Sequence, residues 1–318
     1  MLDESVLLGS ENFEENMKWV VEPFLEKYEE SGFLKTDKGV KIHFHKYTQK
    51  EALGNIVISH GFCEFAKKFE EMVYYLVKEG YNVYVPEHEG HGYSERKVSN
   101  DEMVYVDKFD DYADDMHEFV TKIVPERNRF LIAHSMGGAI GIRVLEKYPA
   151  DFEKAVLSSP MCGMKTGKYP KGLSLFIAQL MCLFGKKKEF AIGQKGFREP
   201  TFETSSCLNK PRYMYLYNMR VENTNYRTYG GSFGWVKESL KIEKKLLKKS
   251  NIKKITADVL IFQAGLDHLV DLNEQNKFLQ SCKNARMIQM KDAKHEIFNC
   301  NDNHRRMFYK EAIAFLQQ

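Results

Sequence analysis

A serine placed between an apolar run and a helix start is the residue best suited to nucleophilic chemistry in this chain. In RFLIAHSMGGAIGIRVLEKY (129–148), residues 130–133 read as a β-strand and a helix opens at Met136, with Ser135 at the junction. A side chain on so sharp a turn strains the backbone and requires small residues two positions away on either side. Ala133 and Gly137 meet that demand, Ala133 standing where a G-x-S-x-G turn has its first glycine. The turn holds the hydroxyl clear of the strand and beside free N–H groups at a helix N-terminus, which stabilise negative charge. The competing reading is a serine that caps the helix from Met136 to Lys147. The rest of the chain decides between them.

A serine hydroxyl becomes nucleophilic at neutral pH only when a base takes its proton and a third group orients that base. In QAGLDHLVD, Asp267 lies just past a strand end in a loop opened by Gly265, and in KDAKHEIF, His295 lies in the loop after the last strand. The assignment is Ser135 as nucleophile, His295 as general base and then acid, and Asp267 as the group that orients the imidazole. The rival acid, Asp271, reads as the cap of the following helix. His304 opens a helix and His268 neighbours the acid, and neither sits in a loop directly after a terminal strand. Acyl transfer also needs two donors for the developing oxyanion. These are the Met136 backbone N–H and the Phe62 N–H in His60-Gly61-Phe62, where glycine lets the backbone approach substrate. His60 reads as a structural hydrogen-bonder. Metal chemistry finds little support: His43 and His45 share a strand face without a third ligand and read as a surface pair. The run HEGH at 88–91 lacks the spacing of H-E-x-x-H. With no Gly-rich phosphate or dinucleotide loop, no metal and no cofactor are expected.

The elements that must position these groups alternate. Residues 11–30 read as an amphipathic helix with Trp19, Val20, Phe24, Leu25 and Tyr28 at helical spacing. GFLKTDKGVKIHFHKY reads as a hairpin turning at Asp37, Lys38 and Gly39. Strands follow at 55–60, 81–87, 129–134, 154–160, 258–265 and in ARMIQMKDA, separated by helices including 66–78, 272–281 and 304–316. This rhythm requires a mostly parallel sheet with helices on both faces. It stops between Pro160 and Ala257, an interval of helical, aromatic-rich sequence that reads as a lid inserted at the edge where such sheets bind ligands. At 43% hydrophobic and 13% aromatic residues the composition supports a large core and excludes global disorder. A formal charge of +3 gives no reason to invoke nucleic acid. The lysines at 186–188 and 241–254 read as solvated surface. The acidic N-terminal stretch does not read as a signal peptide, and the apolar run 173–184 is too short to span a bilayer. Six cysteines without a CxxC pair fit a cytoplasmic protein with reduced thiols.

With serine, oxyanion loop, acid and histidine in that order, the chain resembles the α/β-hydrolase superfamily. More narrowly it resembles the lysophospholipase and monoacylglycerol-lipase group, of the bacterial lysophospholipase L2 type. SHGFCEFAKKFEEM, VPEHEGHGYSE, AHSMGGAIGIRVLEKYP and AGLDHLVD carry the likeness, with the lid segments FETSSCLNKPRYMYLYNM and GGSFGWVKESL. The resemblance covers about residues 32–318, leaving 1–31 as a helical extension and about 161–256 as the lid. It implies an α/β-hydrolase fold and a serine esterase acting on single-chain glycerolipids, a lysophospholipase or monoacylglycerol lipase. Within the same superfamily a small-ester esterase, a thioesterase, a prolyl aminopeptidase or a non-catalytic ligand-binding relative are the alternatives. Two residues depart from the pattern: Ala133 in the serine turn, and Glu89 where relatives commonly carry Arg. The expected partner is an acyl ester or lysolipid. Residues 173–184 read equally as an ordinary core helix of the lid, or as an apolar segment that lines an acyl channel or rests on the inner membrane face with Lys186, Lys187 and Lys188 at the headgroups.

Overall fold

The runs Ile56–Val57–Ile58 and Leu131–Ile132–Ala133 have no polar alternation, so they are stable only when covered on both faces. In the computed structural model, which describes residues 4–198 and 201–318, both runs are fully buried at the centre of an eight-stranded sheet. Its strands are β1 (Glu29–Lys35), β2 (Lys41–Tyr47), β3 (Asn55–Ser59), β4 (Asn82–Pro86), β5 (Arg129–His134), β6 (Lys154–Ser158), β7 (Asp258–Ala264) and β8 (Ala285–Met290). They lie in the order β1-β2-β4-β3-β5-β6-β7-β8. The β1/β2 hairpin and the β2/β4 pair are antiparallel, and every other neighbouring pair is parallel. The carboxyl ends of β3 through β8 therefore share one edge.

The helices are α1 (Glu70–Lys78), α2 (Phe109–Ile123), α3 (Met136–Lys147), α4 (Lys171–Leu183), α5 (Lys210–Glu222), α6 (Phe233–Leu246), α7 (Leu272–Ser281) and α8 (Asp302–Gln317), with shorter turns between them. One core packs α2, α3, α6 and α7 on one face of the sheet, and a second packs α1, α8 and the N-terminal helix on the other. This is the α/β-hydrolase arrangement. Between β6 and β7 the chain runs through α4, α5 and α6. A two-residue strand there, Gly230–Gly231, pairs with Met103–Val104 outside the main sheet. Glu199 and Pro200, within the stretch expected as a lid, and residues 1–3 of the expected extension lie outside the described residues.

Two expectations need correction. The N-terminal helix runs only from Phe13 to Leu25, and it buries Phe13, Met17, Val21 and Leu25, while Trp19 is 70% exposed. A spacing of four overshoots an α-helical turn by about 40°. A wide π turn at Met17–Val21 takes up that overshoot and keeps a four-residue stripe on one face. His43 and His45 are a buried pair, not a surface one. Strand β2 lies inside the sheet, and each ring meets a carboxylate, His43 to Glu87 at 2.9 Å and His45 to Glu29 at 2.6 Å.

Candidate active site

Strand β5 ends at His134 and α3 begins at Met136, so Ser135 alone turns the chain. It does so at φ 54° and ψ −117°, a conformation that costs a non-glycine residue on the order of 1–3 kcal/mol. Neighbouring backbone holds it there. The Ser135 N–H donates to the Ser158 carbonyl at 3.0 Å, and the Ser135 carbonyl accepts from Met161 and Gly138, each at 2.9 Å. Only glycine fits two residues on, since a Cβ at Gly137 would lie 2.1 Å from the Ser59 carbonyl oxygen. The Ser135 side chain does not cap α3. Its hydroxyl is left without a hydrogen bond among the described residues.

Past β7, Asp267 is buried, and its Oδ1 accepts the N–H groups of Leu269 at 2.8 Å and Val270 at 3.1 Å. Its Oδ2 meets Nδ1 of the buried His295 at 2.6 Å. Burial pushes the Asp267 carboxyl upward. The hydrogen bond and charge of His295, with the two backbone donors, outweigh that and hold it below the ordinary aspartate range. The His295 backbone is anchored by Ser159, whose hydroxyl donates to its carbonyl at 2.8 Å. The imidazole lies beside the serine turn, its centroid 4.8 Å from that of His134. Asp271 caps α7 through Asn273 N–H at 3.1 Å and pairs with Lys171, so it belongs to the helix.

The loop after β3 closes over the same edge. A Cβ on Gly61 would sit 3.1 Å from the Ser135 Cβ, so the two backbones are in close approach. The Phe62 N–H has no acceptor among the described residues. As the first residue of α3, Met136 has an N–H with no intrahelical acceptor. The Phe62 ring lies against Trp235 with centroids 4.0 Å apart. His60 is buried, its Nδ1 on the Gly61 carbonyl and its Nε2 accepting the His88 N–H. Glu89 is buried and pairs with Lys97 at 2.9 Å.

A charged network that sequence reasoning missed lies behind the loop. Glu64 Oε2 accepts the Gly61 N–H, and its Oε1 pairs with Lys68 at 2.6 Å. Lys68 reaches on to Glu296 at 2.9 Å, and His134 Nε2 lies 3.7 Å from Glu64. The network thus joins the Phe62 loop to the residue after His295. Its one sequence signal is the i, i+4 spacing of Glu64 and Lys68. Burial raises the Glu64 carboxyl, but the charges of Lys68 and His134 lower it further, from 4.5 to about 2. A depressed folded-state pKa stabilises the fold above the unfolded value and is lost as pH falls through the folded one. Glu64→Gln is therefore expected to make the fall in unfolding free energy between about pH 4.5 and 2 shallower by up to ~1 proton, read from denaturant titrations across that range. An unchanged slope would place the acid sensitivity elsewhere.

Comparison with known proteins identifies the family. The family model described as "Serine aminopeptidase, S33" matches residues 50–302. The chain belongs to the α/β-hydrolase superfamily, in the group of lysophospholipase L2 and monoacylglycerol lipase. It is 30% identical to a probable lysophospholipase L2 of Haemophilus influenzae over 92% of this chain and 94% of that one. It is 26% identical to lysophospholipase L2 of Escherichia coli K12 over 93% of this chain and 89% of that one. Among solved structures, a soluble variant of monoglyceride lipase from Saccharomyces cerevisiae superposes with a TM-score of 0.70 at 18% identity, covering 91% of this chain and 96% of that one. A carboxyl esterase from Bacillus coagulans gives 0.72 at 16% identity, covering 91% and 98%. At these identities the two structures speak for the fold alone.

Proposed function

We propose that the protein is a serine carboxylic-ester hydrolase acting on single-chain glycerolipids, a lysophospholipase or monoacylglycerol lipase. The observation that carries this reading is the buried Asp267–His295 pair at 2.6 Å beside the strained Ser135 turn. Ser135 attacks the ester carbonyl while His295 takes its proton, and Asp267 stabilises the imidazolium that forms. The Phe62 and Met136 N–H groups hold the oxyanion. His295 then gives its proton to the leaving alcohol, and water activated by the same imidazole releases the fatty acid from the acyl-enzyme. No metal or cofactor has a part in these steps.

The segment between β6 and β7 serves as the lid. A cavity of about 420 Å³ lies within it, lined by Met164, Ile177, Ala178, Phe233 and Val236 among others, and suits an acyl chain. On the outer side of α4, Phe176, Leu183 and the adjacent Phe184 are 60%, 84% and 70% exposed, next to Lys186, Lys187 and Lys188. That face suits peripheral contact with a cytoplasmic membrane surface. No helix among the described residues is long and apolar enough to cross a membrane. Phe176→Ser with Phe184→Ser is expected to lower co-sedimentation with anionic phospholipid vesicles about tenfold. Equal sedimentation of variant and parent would remove the membrane role.

The deciding experiment is fatty-acid release from long-chain lysophosphatidylcholine and monoacylglycerols, beside short p-nitrophenyl esters and a proline arylamide. Turnover of the long-chain lipids at the highest kcat/KM supports the reading. Turnover confined to short esters or to the arylamide overturns it.

A further inference from the structure

The mechanism fixes on which side of the serine the leaving group must lie. Because His295 delivers a proton to the departing oxygen, the alcohol half of the substrate has to sit towards the His295 loop. A second cavity, of about 80 Å³, lies on the side of Glu296, the residue after His295, and is walled by Lys68 and by side chains of the lid segment 205–220. Cys207, Leu216 and the rings of Tyr213 and Tyr217 form part of its wall, and the charged side chains of Lys68, Arg220 and Glu296 stand among them.

The charges around this cavity are not all matched internally. Lys68 is held between Glu64 at 2.6 Å and Glu296 at 2.9 Å. Glu296 is also tied to the Asn299 amide at 2.9 Å, so its charge is committed in place. Arg220, on α5, is half-buried and has no carboxylate within ion-pair distance among the described residues. One guanidinium nitrogen, Nη2, donates to the Cys63 carbonyl at 2.6 Å, next to the proposed oxyanion donor Phe62. The Phe65 ring lies 5.8 Å from the guanidinium carbon. The group is therefore oriented at one corner while its other N–H donors remain for an anion. A planar guanidinium presented in this way matches phosphate oxygens in pairs. A partly desolvated cation without a counter-ion also gains more from an incoming anion than a solvated one does.

We propose that Arg220 determines leaving-group specificity by holding the phosphate of a single-chain phospholipid in this cavity. The inference rests on the ester-hydrolase reading above and sharpens it, since a neutral monoacylglycerol offers the guanidinium hydroxyl acceptors but no negative charge.

The test compares long-chain lysophosphatidylcholine with the monoacylglycerol of the same acyl chain, using parent, Arg220→Met and Arg220→Lys. The parent should prefer the phospholipid. In Arg220→Met the ratio of kcat/KM for phospholipid over monoacylglycerol should fall about 10- to 100-fold, mainly through KM, as expected for loss of a hydrogen-bonded charge pair. Arg220→Lys should restore part of the ratio. Glycerol 3-phosphate should inhibit p-nitrophenyl ester hydrolysis competitively in the parent, and more weakly in Arg220→Met by a similar factor. Equal losses on both lipids would mean that Arg220 only braces the Cys63 carbonyl, which overturns the proposal while leaving the esterase intact. An unchanged ratio overturns it as well. A parent that hydrolyses neither lipid but cleaves short esters removes the lipase reading, and the phosphate site with it.

Discussion

Ser135→Ala is expected to lower ester turnover by about 10⁴- to 10⁶-fold, the range seen when a serine hydrolase loses its nucleophile and keeps only its oxyanion donors and binding surface. The fold should be indifferent to the change. The hydroxyl makes no hydrogen bond among the described residues and does not cap α3, so its removal orphans no partner. The strained backbone is held by main-chain bonds to Ser158, Met161 and Gly138, which alanine keeps. The stability cost should therefore stay within about 0.5 kcal/mol, visible as a nearly unchanged thermal midpoint. A fluorophosphonate probe should label the parent protein at this position and leave the variant unlabelled. Purified Ser135→Ala that retains a tenth of parental turnover would remove Ser135 from the chemistry, whatever its geometry.

The parts of this site that are legible in the sequence are those fixed by local backbone demands. The serine turn needs small residues at 133 and 137, and the crowding of Gly137 against Ser59 shows the physical origin of that signal. Asp267 and His295 stand out as candidates because each follows a parallel strand, and parallel strands deliver their carboxyl ends to one edge. What the sequence hides is side-chain pairing across the fold. Nothing in the local pattern around Lys68 tells that Glu296 will meet it, or that Glu29 and Glu87 will cover His45 and His43. The N-terminal helix is hidden for a different reason. Periodicity counted at 3.6 residues puts Trp19 and Val20 on the buried face, whereas one wide turn shifts the stripe to Phe13, Met17, Val21 and Leu25. Arg220 is hidden in the same way: its distinction is the absence of a carboxylate neighbour among the described residues, and that becomes apparent only once α5 is packed beside the loop after β3.

Asp267→Asn should lower turnover by about 10³- to 10⁴-fold, and the hydrogen-bond pattern says why. Leu269 and Val270 both donate to Oδ1, so the asparagine must keep its carbonyl oxygen there. Its NH₂ group then takes the place of Oδ2, facing His295 Nδ1. A donor in that position forces Nδ1 to accept, which moves the imidazole proton to Nε2. The nitrogen meant to take the Ser135 proton is then already protonated, and the imidazolium loses its counter-charge as well. Substrate binding does not depend on this exchange, so the loss should appear in kcat with KM little changed. Asp271→Asn is the matched control. Its carboxylate caps α7 and pairs with Lys171, so the variant should cost at most about 1 kcal/mol of stability and less than about threefold in turnover. Thermal melts and steady-state kinetics on the two variants separate the roles. Loss of turnover in Asp271→Asn with activity kept in Asp267→Asn would reassign the acid and break the link between the buried pair and the serine.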